Sequence, residues 1–288
     1  MRQLPFSYAY RNLGRSRTRL AASLFGSTLV VLLILASGGF VRGMQHTLTQ
    51  SEPFQENVII LGTGSEEGVE RSQIDSSVTG ITGASISGIK ERAGVLFVSP
   101  EIHAALPVRI TSESIEEHQA VMRGVREQAL LVHPEVEILE GRFPRQGTDE
   151  IMVGQLAATR LGVANDLLNI GESIHFDDRD WTVVGRFSAP NTVMNAEIWI
   201  PLIDLQIATN RSSTLSCVIL TLEKASFADV DLFAKSRLDL EISAIRESEY
   251  YSSIASFYAP IRIMILVTAA LISIGGVLGG LNTMYAAF

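Results

Sequence analysis

Residues 263–288 read IMILVTAALISIGGVLGGLNTMYAAF, a run of 26 residues without a charge. A helix needs about 20 apolar residues to cross the hydrocarbon core of a bilayer, so this stretch restricts the chain to architectures that include a membrane span. Its small residues are spaced rather than scattered. Gly275 and Gly279 lie four apart, as do Gly276 and Gly280, and Ala269 and Ser273 extend the stripe by a turn. Small residues at that interval share one helix face and let a second backbone approach closely. The spacing predicts a helix built to pack against other helices, with a lone anchor as the plainer alternative.

A second uncharged run covers residues 20–41. As a helix it would be about 33 Å long. The apolar core of a cleavable signal is shorter, roughly 7–15 residues, so this run is expected to stay as a first span. Residues 1–19 before it hold Arg2, Arg11, Arg15, Arg17 and Arg19, no acid, and the aromatics Phe6, Tyr8 and Tyr10. Tyrosine and arginine together suit the headgroup layer, as a short interfacial helix or as a plain basic tail. In both cases the arginines, Arg11, Arg15, Arg17 and Arg19 foremost, should hold this end in the cytoplasm. The whole chain carries a net charge of −8, so the body beyond this segment is acidic. That argues against a nucleic-acid-binding body.

With the N-terminus inside, the first span carries the chain out and the second returns it. Residues 42–262 then form an extracytoplasmic domain, long enough for its own core. It reads as α+β. Short β-branched runs predict strands over 57–61, 106–111, 119–125, 150–153, 197–200, 217–222 and 240–244. Residues 62–84, rich in Gly, Ser and Thr, read as a loop, 85–92 as a short helix, and 139–147 as a turn-rich connector. Gly162 should close a helix over 155–161. Asp177-Asp178-Arg179-Asp180 should turn a hairpin between 173–176 and 181–187. Pro201 can open a helix over 202–209, and Ser226 can cap one over 227–238. Residues 247–262 should be helical and run toward the second span. The order of elements favours an α+β fold over a doubly wound sheet.

The sequence holds no Gly-x-x-x-x-Gly-Lys phosphate loop. His46, His103, His118, His133 and His175 show no metal-ligand spacing. Glu116-Glu117-His118 reads as a solvated turn, and the aspartates near 177 lack the pattern of a calcium loop. The serines lie in no nucleophile elbow, and the single Cys217 reads as a small buried hydrophobe. The expectation is a chain without catalytic residues, cofactor or metal.

Four blocks resemble a known family. Tyr8-Ala9-Tyr10-Arg11-Asn12-Leu13 with Arg15, Arg17, Thr18 and Arg19 resembles the approach to a first span in permease subunits of ABC transporters of the MacB/FtsX type. Glu140-Gly141-Arg142-Phe143-Pro144, Gly147 and Glu150-Ile151-Met152-Val153-Gly154 resemble a block of that family's periplasmic core domain. Trp181-Thr182-Val183-Val184-Gly185 resembles the strand after it, and residues 275–287 resemble the second span. The resemblance implies a multi-pass protein of the inner (plasma) membrane with a large periplasmic domain between its first two spans. It implies a cytoplasmic ABC ATPase as partner, a second permease copy or complementary membrane chain, and contact with membrane lipids. It further implies efflux or export of lipoproteins and other envelope material, with a periplasmic adaptor or lipoprotein as a further partner. The family continues with a charged cytoplasmic helix and two more spans, so this sequence is expected to represent the family's N-terminal half. A two-span sensor or adaptor, whose outer domain binds a ligand or protein, is the alternative reading. A membrane-anchored enzyme is a third, disfavoured by the lack of a catalytic cluster.

Overall fold

A computed structural model describes residues 57–257 and 259–285, together with scattered helical positions between residues 21 and 43. Side chains at 255–259, 261–262, 277 and 279–285 are outside that description. The chain divides into two compact units, Thr47–Ile254 and, separately, Met1–His46 with Ala255–Phe288.

In the larger unit the chain enters on β1 (Asn57–Gly62), then forms the two-residue strand β2 (Ile74–Asp75) and helix α1 (Val78–Ser85). The expected loop over 62–84 therefore contains a helix, and the helix expected over 85–92 is absent. Its residues lead instead into a tight hairpin, β3 (Glu91–Arg92) and β4 (Val95–Leu96). Ala93 and Gly94 turn it at φ 52° and 81°. Those left-handed values end any helical path, and Gly94 turns a hairpin instead.

Next come β5 (Val98–Val108), β6 (His118–Val125), the single turn α2 (Ala129–Val132), β7 (Glu137–Gly141) and β8 (Glu150–Gly154). The connector expected at 139–147 begins inside β7. Helix α3 (Ala157–Leu161) ends at Gly162, which adopts φ 75° as its left-handed cap. Strands β9 (Ser173–Phe176) and β10 (Arg179–Ser188) form the expected hairpin. Asp177 and Asp178 both take positive φ, 51° and 53°, the geometry of a two-residue turn that matches strand twist. After β11 (Ile198–Pro201) and α4 (Leu202–Ala208) come β12 (Thr214–Leu215), β13 (Cys217–Thr221) and α5 (Phe227–Ser236). The Ser226 N–H donates to Asp229 Oδ2 at 2.8 Å, one half of a capping box. Strand β14 (Ile242–Arg246) and helices α6 (Glu247–Phe257) and α7 (Ala259–Tyr285) complete the chain.

Ten strands make one sheet in the order β14-β1-β13-β5-β6-β11-β8-β10-β7, with β9 on β10. The pairs β6–β11 and β8–β10 are parallel and the rest antiparallel. This is a mixed sheet, as α+β predicts. Strands β1 and β14 are neighbours, with Val58 opposite Arg246. Side chains alternate across the sheet, and two cores result. Val58, Ile60, Val218, Leu220, Ile151, Val153, Ile198 and Ile200 face one. Ile59, Leu61, Ile219, Met152 and Trp199 face the other. Strand β10 changes sides part-way. Its register shifts near Gly185 and again after Arg186, so Trp181 and Val183 join the first core and Phe187 the second. Bulges of that kind reset the two-residue alternation.

In the second unit, α7 extends over 27 residues. Among the described residues no helix is long and apolar enough to cross a membrane. The spans expected at 20–41 and 263–288 are not established among these residues.

Candidate functional site

The second core is not wholly apolar. Four adjacent strands, β1, β13, β5 and β6, turn polar side chains into it on one parity, Asn57, Thr221, Cys217, Ser99, Glu101, His103 and Arg123, and Glu197, just before the neighbouring β11, joins them. Register brings them together. Cys217 lies opposite Glu101, and Arg123 lies between His103 on one side and Trp199 on the other.

Arg123 is the centre. Its Nε and Nη2 donate to Glu197 Oε2 and Oε1 at 2.7 and 2.9 Å, and its Nη1 donates to Glu101 Oε2 at 2.7 Å. The indole N–H of Trp199 adds a bond to Glu197 Oε2 at 3.1 Å. The other Glu101 oxygen accepts from Ser99 Oγ at 2.8 Å and pairs with His133 Nε2 at 2.9 Å. Glu101 and His133 are fully buried, and Arg123 is 1% exposed. Burial alone would push the Glu101 carboxyl up, but the charges of Arg123 and His133 outweigh it and hold it well below the usual carboxylate range. Burial also disfavours the charged imidazole of His133, yet attraction to Glu101 prevails and lifts it to about 10. Glu197 is likewise held down by Arg123 against the effect of burial. The centre is thus a balanced cluster of ionised groups.

Glu101, His103 and Cys217 bring their donor atoms within 4.8 Å of one another. Sequence spacing could not reveal this, because strand pairing makes the contact. Their chemistry opposes a cation. Both Glu101 oxygens already face Arg123, His133 or Ser99, and two positive charges stand beside them. Burial and the Glu101 charge push the Cys217 thiol well up, away from the thiolate that binds metal or attacks substrate. The group is a hydrogen-bonded core.

One carboxylate at the margin is different. Glu247, the first residue of α6, is fully buried. Its Oε2 accepts from Asn57 Nδ2 at 2.8 Å, and its Oε1 has no hydrogen-bond partner. Asn57 also donates to the Val132 carbonyl at 3.1 Å and accepts from Thr221 Oγ1 at 2.7 Å. Burial is the largest influence on Glu247, and it raises the carboxyl to about 7 despite the attraction of His133.

The block 140–154 has its own geometry. Arg142 Nη1 and Nη2 donate to both Glu150 oxygens at 2.6 Å, and the Arg145 N–H adds a third bond at 2.9 Å. The Arg142 hydrogen bonds hold Glu150 down at about 2. Gly141, with φ 75°, sits opposite Gly185. A Cβ on Gly141 would overlap the Val184 carbonyl oxygen, and one on Gly185 would overlap that of Arg142. The motif's glycines therefore permit close backbone contact between β7 and β10, and its Arg and Glu fasten the loop that follows.

Of the residues singled out for helix packing, Gly275, Gly276, Gly279 and Gly280 all lie in α7. Gly275 and Gly276 are exposed, and a Cβ at Gly275 would meet nothing within 4 Å. Arg11, Arg15, Arg17 and Arg19 lie outside the described residues. The buried charges were not anticipated as a group. The available signal was a set of ionisable residues on one parity of otherwise apolar strands.

The described residues thus form a mixed sheet with a closed charged core and, toward its β7 edge, an Arg142–Glu150 clamp beside two closely packed glycines. The chain belongs to the MacB-like periplasmic core domain family, which it matches over residues 20–232. The periplasmic region of MacB from Actinobacillus actinomycetemcomitans is similar in structure, with TM-score 0.51 and 12% identity. That likeness covers 73% of this chain and 96% of that one. The extracellular domain of the noncanonic ABC-type transporter YknZ from Gram-positive bacteria aligns at 14% identity and TM-score 0.47, over 66% of this chain and 99% of that one. No curated protein matches the sequence.

Proposed function

We propose that this chain acts as a permease component of an ABC transporter, in which a cytoplasmic ATPase drives movement of the extracytoplasmic domain for efflux or for export of envelope material. The match to the MacB-like periplasmic core domain over residues 20–232 carries this reading. The uncharged runs at 20–41 and 263–288 support it, as the two spans that would place residues 42–262 outside an inner (plasma) membrane. On this reading the domain is mechanical. The sequence carries no Gly-x-x-x-x-Gly-Lys phosphate loop, and the buried ion pairs keep the sheet in one arrangement while the flanking helices move. The glycine stripe of α7 provides the packing face toward a second copy or a complementary membrane chain.

The test is affinity purification of the N-terminally tagged chain from native membranes in mild detergent. Recovery of an ABC ATPase, with or without a further membrane chain, supports the reading. Recovery of periplasmic or lipid-anchored proteins alone overturns it in favour of an adaptor.

A further inference from the structure

We propose that Glu247 and Asn57 form a proton-controlled clasp that joins the two ends of the extracytoplasmic domain, closed when the Glu247 carboxyl is neutral and loosened when it ionises. The inference concerns regulation of the domain movement proposed above and takes its significance from that reading.

Position is the first argument. Asn57 is the first residue of β1 and Glu247 the first of α6. Their 2.8 Å hydrogen bond therefore ties the point where the chain enters the sheet to the point where it leaves. Residues 247–257 are the helix that precedes α7. Tyr250 and Tyr251 of α6 are buried in the second core, so α6 is docked through its first turns.

Charge is the second argument. The neighbouring acids each have a cation nearby, Glu101 with Arg123 and His133, Glu197 with Arg123, and Glu135, itself without a hydrogen bond, with His133 Nδ1 at 3.7 Å. Among the described residues Glu247 forms no ion pair, and one of its oxygens lacks a hydrogen bond altogether. An ionised carboxylate in that position carries a desolvation penalty that one amide does not offset. The ionisable groups around it are Glu101 from β5, Cys217 from β13, His133 and Glu135 after α2, and Tyr251 on α6 itself. His133 attracts the ionised form, while Glu101 and Glu135 repel it. His133 is committed to Glu101 at 2.9 Å, so its charge is largely used there.

The sign follows from linkage. The docked helix holds the Glu247 proton to about pH 7, against 4.5 for a free carboxyl. The advantage to docking is therefore complete below pH 4.5, declines as pH rises from there toward 7, and is spent above that value. Between pH 6 and pH 8 the ratio of docked to released helix should fall about tenfold.

Hydrogen–deuterium exchange of the full chain in nanodiscs tests the clasp, reading the peptide over 247–257 at pH 6, 7 and 8 after correction for intrinsic rates. Protection in the wild type should fall about tenfold from pH 6 to pH 8, most of it below pH 7, and level off above that value. Glu247→Gln should keep protection constant across the series, and Glu249→Gln, an exposed change on the same helix, should behave as wild type. A flat wild-type profile overturns the clasp without need of any variant. A pH-dependent profile that survives Glu247→Gln also overturns it. The exchange is read without an ATPase, so failure of the transporter reading in affinity purification leaves this outcome intact, and the reverse also holds.

Discussion

Arg123 of β6 meets Glu197, the residue immediately before the parallel strand β11, through two hydrogen bonds of 2.7 and 2.9 Å, out of reach of solvent. Parallel strands have no hairpin to set their register, and this pair fixes it from within. Buried ion pairs contribute little net stability against apolar substitutes, yet breaking one strands its partner. Arg123→Met should therefore destabilise the domain by about 3–5 kcal/mol, measured as urea unfolding followed by tryptophan fluorescence. Replacing Glu101, Arg123 and Glu197 together by apolar residues of similar volume should recover much of the loss. A single-variant change below about 1 kcal/mol would mean that the three charges do not act together.

The alkaline side of the stability curve should report on His133. Its proton is held to about 10 in the folded chain, against 6.5 for a free imidazole. The contribution is complete below 6.5 and is lost as pH rises through 10. The stability gap between wild type and His133→Gln should be widest near pH 6 and should narrow steadily toward pH 10. A gap independent of pH would show that His133 acts by packing alone.

Glu150 gives the opposite slope. Arg142 holds it at about 2, so its contribution is present above 4.5 and lost as pH falls through 2. The Arg142 side chain is 42% exposed, so solvent screens the pair and its contribution is small. Glu150→Gln should lower the melting temperature by a few degrees at pH 7 and match wild type near pH 2.

Gly141 and Gly147 share φ 75° but differ in surroundings. A Cβ at Gly147 would meet nothing, whereas one at Gly141 would overlap the Val184 carbonyl. Gly147→Ala should cost only the backbone strain, about 1 kcal/mol. Gly141→Ala should cost at least twice that or abolish folding, as read by thermal denaturation. Equal effects would remove steric contact as the reason for glycine in the block at 140–154.

Gly276→Leu or Gly279→Leu should weaken helix association in the membrane by blocking close approach, read by an in-membrane dimerisation reporter. Joint neutralisation of Arg15, Arg17 and Arg19 should weaken the N-inside orientation. An N-terminal reporter that stays cytoplasmic after that change would count against it.

Local signals carried much of the fold. Asn57–Leu61, Glu150–Val153 and Cys217–Leu222 are apolar runs whose composition states their structure, and Gly162, Pro201, Ser226 and the aspartates at 177 and 178 punctuate them by backbone chemistry. Strand β5 was only half legible. Pro100, Glu101 and His103 interrupt its pattern, and Arg123 of β6 with His133 after α2 supplies the charges that make Glu101 acceptable there. The short hairpin around Gly94 was hidden for a related reason, since two-residue strands have no periodicity to read. The charged core could not be seen from spacing at all. Its members come from positions 57 to 247, and the sheet order that unites them is a tertiary fact.

Val58, where the chain joins the sheet, stands opposite Arg246, where it leaves. A load that separates these two ends would open the β1–β14 ladder like a zip, one rung after another, once the Asn57–Glu247 hydrogen bond has given way. A load that moves both ends in concert would leave every rung intact and swing the whole sheet as a lever. The domain is soft to one kind of pull and stiff to the other.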